Sequence, residues 1–334
     1  MLVQHHLRRS LLWQVFLTFL ATLFTREMPK YDEDLIGNKM LTAEATLRDL
    51  NGQNVTVPEN LAVKASRVLT ELRSCNRVLV AFSGGVDSTL ITYLAKLALG
   101  ENMMAVTANS PSLASLELSE TEKLAKLMQV KHTIVYTEEL NDPSYVANPT
   151  NRCYFCKKEL GEKLIQLADR LGGYAIVDGT NAEDLQGHRP GAAALSEKGI
   201  RRPLAQAGMS KEDVRELAKL LGLPNFDKPS MPCLSSRVAY GELISPERLL
   251  RIERSESLIR SLTGAKELRV RDHGTIARIE VGRDERKLFF DDTLLDRISE
   301  GLRGFGFDYV AFDLTGFRSG SMNQPSTAMN DRKQ

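Results

Sequence analysis

The stretch RVLVAFSGGVDSTLITYL, residues 77–94, decides the fold of this chain. Its first part, RVLVAF, is a short apolar run of the kind that forms buried parallel strands. From Ser88 onward, STLITYLAKLALG has helical periodicity and ends at Gly100, a natural helix stop. Gly84 and Gly85 therefore lie in a bare loop between a strand and a helix.

Strand and helix patterns alternate along the next hundred residues. Buried-strand runs recur in MMAVTA, HTIVYT and YAIVDGTN, and helical periodicity covers about 116–128 and the segment 156–172. This order predicts an α/β fold with a doubly wound parallel sheet. Ligands of such folds bind at the carboxyl ends of the strands, and the candidate chemical groups of this chain fall there.

The character of the sequence changes near residue 230. Half-buried strand patterns appear in KELRVRD, TIARIEV and DYVAFDL, with one helix beginning at Ser245 and another near 284–303. The predicted divisions are an N-terminal extension (1–57), a larger domain (58–229), a second, smaller α+β domain (230–322) and a disordered polar tail (323–334).

The composition is that of an ordinary soluble protein. Of 334 residues, 42% are hydrophobic and 26% are charged, with a formal net charge of +1. So small a net charge gives no strong field toward nucleic acid or an anionic membrane, and we expect neither as a partner of the catalytic part. Four cysteines are too few for a disulfide scaffold of this length, which favours a reducing, cytoplasmic location.

The first thirty residues contain a basic start and an apolar run from Leu11 to Phe24. The run is shorter than the roughly 18–20 residues that span a bilayer, and no clear cleavage site follows it. Three interpretations stay open: a signal or anchor, an ordinary amphipathic helix, and a leader that arises from an early start codon, with Met28 as the true start. Residues 1–57 are therefore set aside from the functional argument.

The glycine loop has the geometry of a phosphate cradle. Gly84 and Gly85 remove side chains, so backbone N–H groups can approach an anion. Ser88 sits where a helix N-terminus offers free donors and the positive end of its dipole. The alternative is a tight strand-to-helix turn without a ligand. The loop is neither a Walker A sequence nor a G-x-G-x-x-G fingerprint.

The full string SGGVDS resembles the pyrophosphate loop (PP-loop) of the N-type ATP pyrophosphatases. The resemblance implies a loop that holds the β- and γ-phosphates of ATP while the α-phosphate is attacked, with Mg²⁺ assistance. The implied ATP contacts in the loop are Ser83, Gly84, Gly85, Asp87 and Ser88. Because a bare carboxylate repels phosphates, we interpret Asp87 as a Mg²⁺ contact or as an organiser of the loop.

A second polar segment, DGTNAEDL at 178–185, follows the fourth predicted strand. Asp178, Thr180 and Asn181 supply polar groups where a nucleotide should lie, and Glu183 and Asp184 add carboxylates. The alternative is a polar turn with a helix cap. Cations for a phosphate or an adenylate are available nearby, at Arg189, Arg201 and Arg202.

The cysteines differ in setting. Cys75 is expected to be a small buried hydrophobe, whereas Cys153 and Cys156 open a helix as a C-x-x-C pair. Cys233 lies in a loop, with Arg237 close enough in sequence to favour its thiolate. The pair could be half of a zinc site, but no second half is present, and three thiolates also fit an iron–sulfur cluster with one open iron.

Charged residues of the smaller domain suggest an anion or metal site. Arg269 and Arg271 are two apart on a strand, so both point to one face, where a substrate phosphate or carboxylate would fit between them. The alternative is a solvated strand face. Four carboxylates are candidate metal ligands, with ordinary surface residues as the alternative. They are Glu253, Glu256, Asp284 and Glu285.

Seven strings, in this order, resemble the LarE family of ATP-dependent sulfur transferases, which help build the nickel-pincer nucleotide cofactor of lactate racemase. They are AFSGGVDSTL, DGTNAEDL, HRPG, RRPL with SKEDVRELAKLLGLP, DKPSMPCLSSR, RVRDHGTIARIEVGRDE and GFRSGSMN. The resemblance covers about 75–323. The glycine loop alone shows only the superfamily, and the strings around Cys233 and Arg271 single out the family.

The resemblance implies a reaction. ATP adenylates a carboxylate of pyridinium-3,5-dicarboxylate mononucleotide, and a sulfur nucleophile displaces AMP to leave a thiocarboxylate. Some members give up the sulfur of the cysteine that matches Cys233. Others, with three cysteines as here, are thought to hold a [4Fe–4S] cluster, and Cys153, Cys156 and Cys233 match that pattern, which we favour.

The resemblance also implies site residues and an assembly. Cys233, Asp87 and Ser88 are expected to carry the chemistry. Arg237, Arg269 and Arg271 are expected to bind the anionic groups of the substrate. Apart from the resemblance, Glu256 and Asp284 are the carboxylates expected to contact a metal. Family members suggest a homo-oligomer, specifically a hexamer.

Three other functions fit parts of the sequence. A tRNA thiolase shares the loop and cluster cysteines but needs a basic face, which a net charge of +1 argues against. An amide-forming ligase of the NAD- or GMP-synthetase kind would leave the cysteines without a role. A non-catalytic nucleotide sensor would need neither Cys233 nor the arginine pair.

Overall fold

Four parallel strands form the sheet that carries the glycine loop. The computed structural model describes residues 46–186 and 190–318. The strands are β3 (Val78–Ala81), β4 (Met103–Asn109), β5 (His132–Tyr136) and β6 (Ala175–Val177), in the spatial order β5-β4-β3-β6. Every pairing is parallel, as predicted.

Helices cover both faces of this sheet. They are α1 (Glu59–Ser74), α2 (Val86–Leu99), α3 (Ser115–Leu127), α4 (Pro143–Val146), α5 (Arg152–Arg170), α6 (Pro190–Glu197), α7 (Pro203–Gln206) and α8 (Lys211–Leu220). Val78 and Val80 face a core shared with α1, α2 and α8, while Leu79 faces a second core with α5 and α6. This division follows from the alternation of side chains along β3 and confirms the doubly wound fold.

The start of α8 shows how local sequence places a site element. Ser210 accepts a hydrogen bond from the backbone N–H of Asp213 at 3.1 Å, and the Asp213 carboxylate accepts from the N–H of Ser210 at 2.7 Å. This capping box fixes the first turn of the helix. Lys64 of α1 binds the same carboxylate at 2.6 Å, so α8 is anchored where it approaches the glycine loop.

A short hairpin precedes α1 and corrects one predicted boundary. β1 (Thr46–Arg48) pairs antiparallel with β2 (Asn54–Thr56). Leu47 and Val57 are buried in the core that α1 and α2 share. Residues 46–57 thus belong to the folded unit and not to a separate extension. The apolar run Leu11–Phe24 and the predicted tail 323–334 lie outside the described residues.

A second sheet follows Cys233 in the chain. β7 (Leu268–His273) pairs antiparallel with β8 (Ile276–Val281), which pairs in parallel with β9 (Tyr309–Phe312). The helices that cover it are α9 (Pro246–Thr263) and α10 (Asp292–Gly304), with a 3₁₀ helix over Arg283–Phe289. This sheet and its helices enclose their own hydrophobic cluster. The boundary between the larger and the smaller domain, expected between residues 229 and 230, stays a prediction.

The first strand of the second sheet, β7, is less exposed than the sequence suggests. Alternation of apolar and polar residues predicts half-buried strands, but β7 is buried on both faces from Leu268 to Asp272. The polar side chains can be buried because they are ion-paired or hydrogen-bonded to neighbouring groups, as described below.

No helix within 46–186 or 190–318 combines the length and the apolar character that a bilayer crossing requires.

The packing of the hairpin can be tested by Leu47→Ala. Removing this buried side chain leaves a cavity in the main core, so we expect a loss of about 2–3 kcal/mol in the free energy of unfolding by urea. Leu243→Ala is the matched control, because Leu243 is 64% exposed. Equal stability of the two variants would mean that the hairpin contributes nothing to the core.

Candidate active site

The glycine loop closes around the hydroxyl of Ser88. Ser88 Oγ accepts a hydrogen bond from the N–H of Ser83 at 3.2 Å and donates to the carbonyl of Gly85 at 3.0 Å. Because α2 begins at Val86, Ser88 lies in its first turn, where the backbone N–H groups of a helix have no intrahelical partner. The loop is therefore pre-shaped at the positive end of a helix.

Gly84 is required by both conformation and space. Its φ is +72°, in the left-handed region that favours glycine. A Cβ atom there would lie 2.5 Å from Cγ2 of Thr121 in α3. The sequence shows the need for a bare loop, but only the structure shows that α3 supplies its wall.

Asp87 organises three segments at once. Its Oδ1 accepts a hydrogen bond from Asn181 Nδ2 at 3.0 Å, and its Oδ2 forms an ion pair with Lys211 Nζ at the first position of α8. Asp87 therefore ties the loop to the segment after β6 and to α8. This arrangement fits the interpretation of Asp87 as a loop organiser, while its contact with Mg²⁺ stays a prediction. The sequence does not identify Lys211 as part of this site, because a lysine that follows a helix cap is typical of a solvated surface.

The segment after β6 packs directly against the loop. A Cβ atom at Gly179 would lie 2.6 Å from the backbone nitrogen of Ser88, so glycine alone permits this approach. Asn181 Oδ1 accepts hydrogen bonds from the N–H groups of Glu183 and Asp184 at 3.0 and 3.1 Å. Asn181 thus caps a short turn while its amide nitrogen holds Asp87.

Asp178 presents a buried acceptor beside this junction. Its Oδ1 accepts from the N–H of Thr180 at 2.8 Å. Its Oδ2 is buried without a hydrogen-bond donor among the described residues, and Arg202 Nε, also lacking a hydrogen bond there, lies 3.7 Å away. Two polar atoms in this state fit a site that a bound polar group would complete.

The other predicted phosphate cations are placed differently. Arg201 lies at the surface, where Nη1 donates to Glu71 Oε1 at 3.0 Å and to Cys75 Sγ at 3.3 Å. Its side chain therefore belongs to a surface ion pair, while its backbone carbonyl accepts a hydrogen bond from the N–H of Asp178 at 3.0 Å. Arg189 lies outside the described residues.

Three of the cysteines, Cys153, Cys156 and Cys233, interact electrostatically in the folded chain. Cys153 and Cys156 occupy the first turns of α5, and Cys156 packs against the hydrophobic cluster that contains Leu234. Shielding from water raises the pKa of Cys156 to about 12, and the charges of Glu139, Cys233 and Cys153 add to that rise while Lys157 opposes it. Cys233 and Cys153 are thus near enough to interact electrostatically with the Cys156 thiol.

A buried hydroxyl network adjoins the cysteines, and sequence reasoning misses it. Tyr145 of α4 and Ser235 have hydroxyl oxygens 2.6 Å apart. Glu139 accepts hydrogen bonds from Ser112 at 2.8 Å and from Thr137 at 2.9 Å. Burial, with Cys233 nearby, raises the pKa of Tyr145 above its usual range. These residues are separated by as much as 123 positions in the chain, so no local pattern unites them.

The cysteines match an iron–sulfur ligand set in kind and number. Within 46–186 and 190–318, however, no three or more His, Cys, Asp or Glu side chains are already arranged to hold a metal ion. The charges of Cys233 and Cys153 influence the Cys156 thiol, and three thiolates are the number that a [4Fe–4S] cluster with one open iron requires. The cluster therefore stays a prediction.

Arg237 braces the backbone around Cys233. It is fully buried, and its guanidinium donates to both carboxylate oxygens of Glu256 at 2.9 and 3.1 Å. It also donates to the carbonyl of Cys233 at 3.1 Å. The sequence predicts that Arg237 binds substrate and favours the thiolate of Cys233; the structure shows its guanidinium on the main chain and on Glu256.

Arg269 and Arg271 are both buried, which excludes a solvated strand face. Arg271 donates through Nε and Nη2 to Glu280 Oε2 at 2.9 and 2.8 Å, so an internal carboxylate meets the expected need for an anion. Arg269 donates to the carbonyls of Leu268 at 2.7 Å and Ser230 at 3.0 Å. Among the described residues no carboxylate lies within ion-pair distance of Arg269. Burial, together with the charge of Arg237, lowers the pKa of Arg269 to about 10.

Glu256 is an ion-pair partner rather than the expected metal ligand. Besides Arg237, the N–H of Val270 donates to its Oε1 and Arg260 donates to its Oε2, each at 3.1 Å. Four hydrogen bonds occupy the carboxylate, leaving no free edge for a cation. The other predicted ligand, Asp284, is exposed at the start of the 3₁₀ helix.

Replacing Glu256 tests how much the second sheet depends on this carboxylate. Burial alone would raise its pKa, but the neighbouring arginines, Arg237 foremost, lower it below the usual range. Glu256→Gln should cost about 3–5 kcal/mol, because it leaves buried guanidinium groups without a counter-charge. The control is Glu300→Gln, because Glu300 is an exposed residue of α10.

The pH dependence of unfolding gives a second readout. A carboxylate with a lowered folded pKa stabilises above its unfolded pKa of about 4.3 and loses that contribution as the pH falls through the folded value. The wild type should therefore lose stability in acid more steeply than Glu256→Gln. Identical acid limbs in the two proteins would contradict the buried ion pair.

Comparison with known proteins places these features in a family. The family described as NAD synthase matches residues 62–147, which contain the glycine loop. The uncharacterized protein slr1717 of Synechocystis sp. is 46% identical over 75% of this chain and 94% of its own length. The pyridinium-3,5-bisthiocarboxylic acid mononucleotide synthase of Lactiplantibacillus plantarum is 37% identical over 80% of this chain and 96% of its own length.

A more distant similarity is shorter. One component of the glutamine-hydrolyzing GMP synthase of Methanosphaerula palustris is 26% identical over 52% of this chain and 60% of its own length. Shared length and identity thus favour the synthase of L. plantarum over the amide-forming ligases. The chain belongs to the LarE family, the ATP-dependent sulfur transferases of nickel-pincer nucleotide cofactor synthesis that its motifs resemble.

Proposed function

We propose that this chain adenylates a carboxylate of pyridinium-3,5-dicarboxylate mononucleotide with ATP and converts it to a thiocarboxylate. The observation that carries the proposal is the connection between the glycine loop and the cysteines. The segment after α8 contacts the loop through Asn225 and reaches Cys233 eight residues later. The name of the L. plantarum relative supports a pyridinium substrate of this kind.

The chemistry explains why both parts are needed. A carboxylate is a poor electrophile, since it repels a thiolate and would have to expel oxide. Attack of a carboxylate oxygen on the α-phosphorus of ATP breaks the bond to pyrophosphate and forms an acyl adenylate. A sulfur nucleophile then bonds to the carbonyl carbon while the bond to AMP breaks, and AMP is a good leaving group.

Residues of the larger sheet suit the first step. Backbone N–H groups of the loop at the start of α2 would bind pyrophosphate, and Mg²⁺ would neutralise part of its charge. Lys211, already paired with Asp87, is placed to approach the same phosphates. Arg202 and the unsatisfied oxygen of Asp178 would contact the nucleotide part of the adenylate.

The smaller sheet would present the substrate to Cys233. Arg269 is the candidate contact for a substrate anion, because its buried guanidinium donates to two carbonyl groups and to Met231 Sδ but, among the described residues, to no carboxylate. Arg237 and Arg271 would act through the main chain, since they donate to the carbonyls of Cys233 and Ser236.

Two sulfur sources are compatible with the cysteine arrangement. Cys233 could give up its own sulfur, in which case its Cβ–Sγ bond breaks with loss of the α-proton and dehydroalanine remains. Alternatively, Cys153, Cys156 and Cys233 would hold a [4Fe–4S] cluster, which supplies an open iron for an additional sulfide. We favour the cluster, because Cys153, Cys156 and Cys233 match the pattern of the cluster-type members, whereas a sacrificial reaction needs one cysteine.

The setting of the enzyme is also proposed. The family resemblance favours a homo-oligomer, specifically a hexamer, working in the cytoplasm without nucleic acid.

Formation of AMP tests the first step. With ATP, Mg²⁺ and the dicarboxylate substrate, the wild type should release AMP and pyrophosphate in equal amounts. Asp87→Asn should lower the rate by about 10²-fold, because the loop loses the charge that holds Lys211. Asp296→Asn is the control, because Asp296 is an exposed residue of α10. Release of ADP, or full activity of Asp87→Asn, would contradict the proposal.

Replacement of Cys233 tests the second step. Cys233→Ala should retain release of pyrophosphate but form no thiocarboxylate. Anaerobic purification with iron and sulfide analysis, followed by mass spectrometry after turnover, then separates the sulfur sources. Bound iron with intact Cys233 supports the cluster, whereas loss of one sulfur from Cys233 in iron-free protein would eliminate it.

A further inference from the structure

One side chain far along the chain holds the backbone of the glycine loop. Asn225 lies in the segment after α8 and is only 8% exposed. Its Nδ2 donates to the carbonyl of Gly84 at 3.0 Å and to Thr89 Oγ1 at 2.9 Å. A backbone carbonyl can only accept, so the partner identifies the amide nitrogen as the end that faces the loop.

Holding this carbonyl orients the next backbone donor. The C=O of Gly84 and the N–H of Gly85 belong to one planar trans peptide, so they point in opposite directions. A hydrogen bond that fixes the carbonyl toward Asn225 therefore fixes the Gly85 N–H toward the other side of the peptide. Because glycine is freer than other residues to rotate its peptide planes, the loop needs such an external restraint.

Thr89 extends the restraint into the helix. Its hydroxyl accepts from Asn225 and donates to the carbonyl of Gly85 at 3.0 Å. Asn225 thus engages Gly84 directly and Gly85 through Thr89.

The other end of the Asn225 amide is left without a partner. Oδ1 is buried and meets no hydrogen-bond donor among the described residues. An unsatisfied buried acceptor costs about 1–3 kcal/mol. This energetic cost falls on a residue whose amide nitrogen holds the glycine loop, which points to a functional role for Asn225.

The segment that carries Asn225 is itself anchored. Lys228 binds Glu117 and Glu120 of α3 at 2.8 and 2.7 Å, and the N–H of Leu234 donates to Ser112 at 2.8 Å. The side chain that α3 places beside Gly84 is Thr121. Gly84 therefore lies between two elements that ion pairs hold together.

We propose that Asn225 is a positioning residue of the pyrophosphate loop, which presets the Gly84–Gly85 peptide so that its N–H faces the departing phosphates. This inference rests on the proposed function, in which the loop binds pyrophosphate. Asn225 acts through the peptide and is not itself a catalytic residue.

The test compares ligands that do and do not occupy the loop. Calorimetric titrations of the full chain would measure affinity for Mg²⁺-pyrophosphate and for AMP. Asn225→Asp keeps the size of the side chain but turns an oxygen toward the Gly84 carbonyl. We expect its pyrophosphate affinity to fall about tenfold or more and its AMP affinity to stay within about twofold. Thr89→Val should give a smaller loss of the same selectivity.

The controls separate failure of the inference from failure of the proposed function. Asn102→Ala, exposed at the amino end of β4, should bind both ligands like the wild type. A wild type that binds no pyrophosphate would overturn the proposed function. A wild type that binds it, with Asn225→Asp unchanged or with both ligands weakened equally, would overturn the role of Asn225. If Asn225→Asp fails to fold, the result for Thr89→Val decides in the same way.

Discussion

The ion pair between Asp87 and Lys211 is the interaction on which the nucleotide side of the molecule depends. A carboxylate next to bound phosphates would repel them if it were free. Here its charge is matched by Lys211, and its other oxygen is held by Asn181. Through these two contacts Asp87 connects the glycine loop to the segment after β6 and to the start of α8. One charge requirement thus organises three segments that are distant in sequence.

The cysteine side depends on a different constraint, the cost of burying charge. Arg237, Arg271, Glu256 and Glu280 are nearly inaccessible to water, and such groups are tolerated only when each charge is paired and hydrogen-bonded. These ion pairs also position the main chain. Arg237 donates a hydrogen bond to the carbonyl of Cys233, and Arg271 donates one to the carbonyl of Ser236. The loop that carries the predicted nucleophile is therefore fixed by charges that belong to the second sheet.

Between these two sides runs the segment from Asn225 to Cys233. Its first residue, Asn225, donates a hydrogen bond to the glycine loop, and Lys228 forms an ion pair with α3. Its last residue, Cys233, interacts electrostatically with Cys156. An adenylate formed at the loop must meet a sulfur nucleophile before water does, and a restrained connection keeps the two sites in a constant relation. The contacts that anchor this segment are therefore as important to the proposed chemistry as the cysteines.

The sequence by itself determined the strand–loop–helix unit, the parallel sheet, the helix caps and the family, because periodicity, glycine positions and the strings around Cys233 are local. It also identified Cys153, Cys156 and Cys233, whose charges interact in the folded chain. Tertiary structure alone decided that residues 46–57 join the core, that Glu256 pairs with arginines, and that Lys211 and Asn225 serve the loop. Those outcomes depend on which distant charge or carbonyl a side chain meets, and no spacing along the chain encodes that partner.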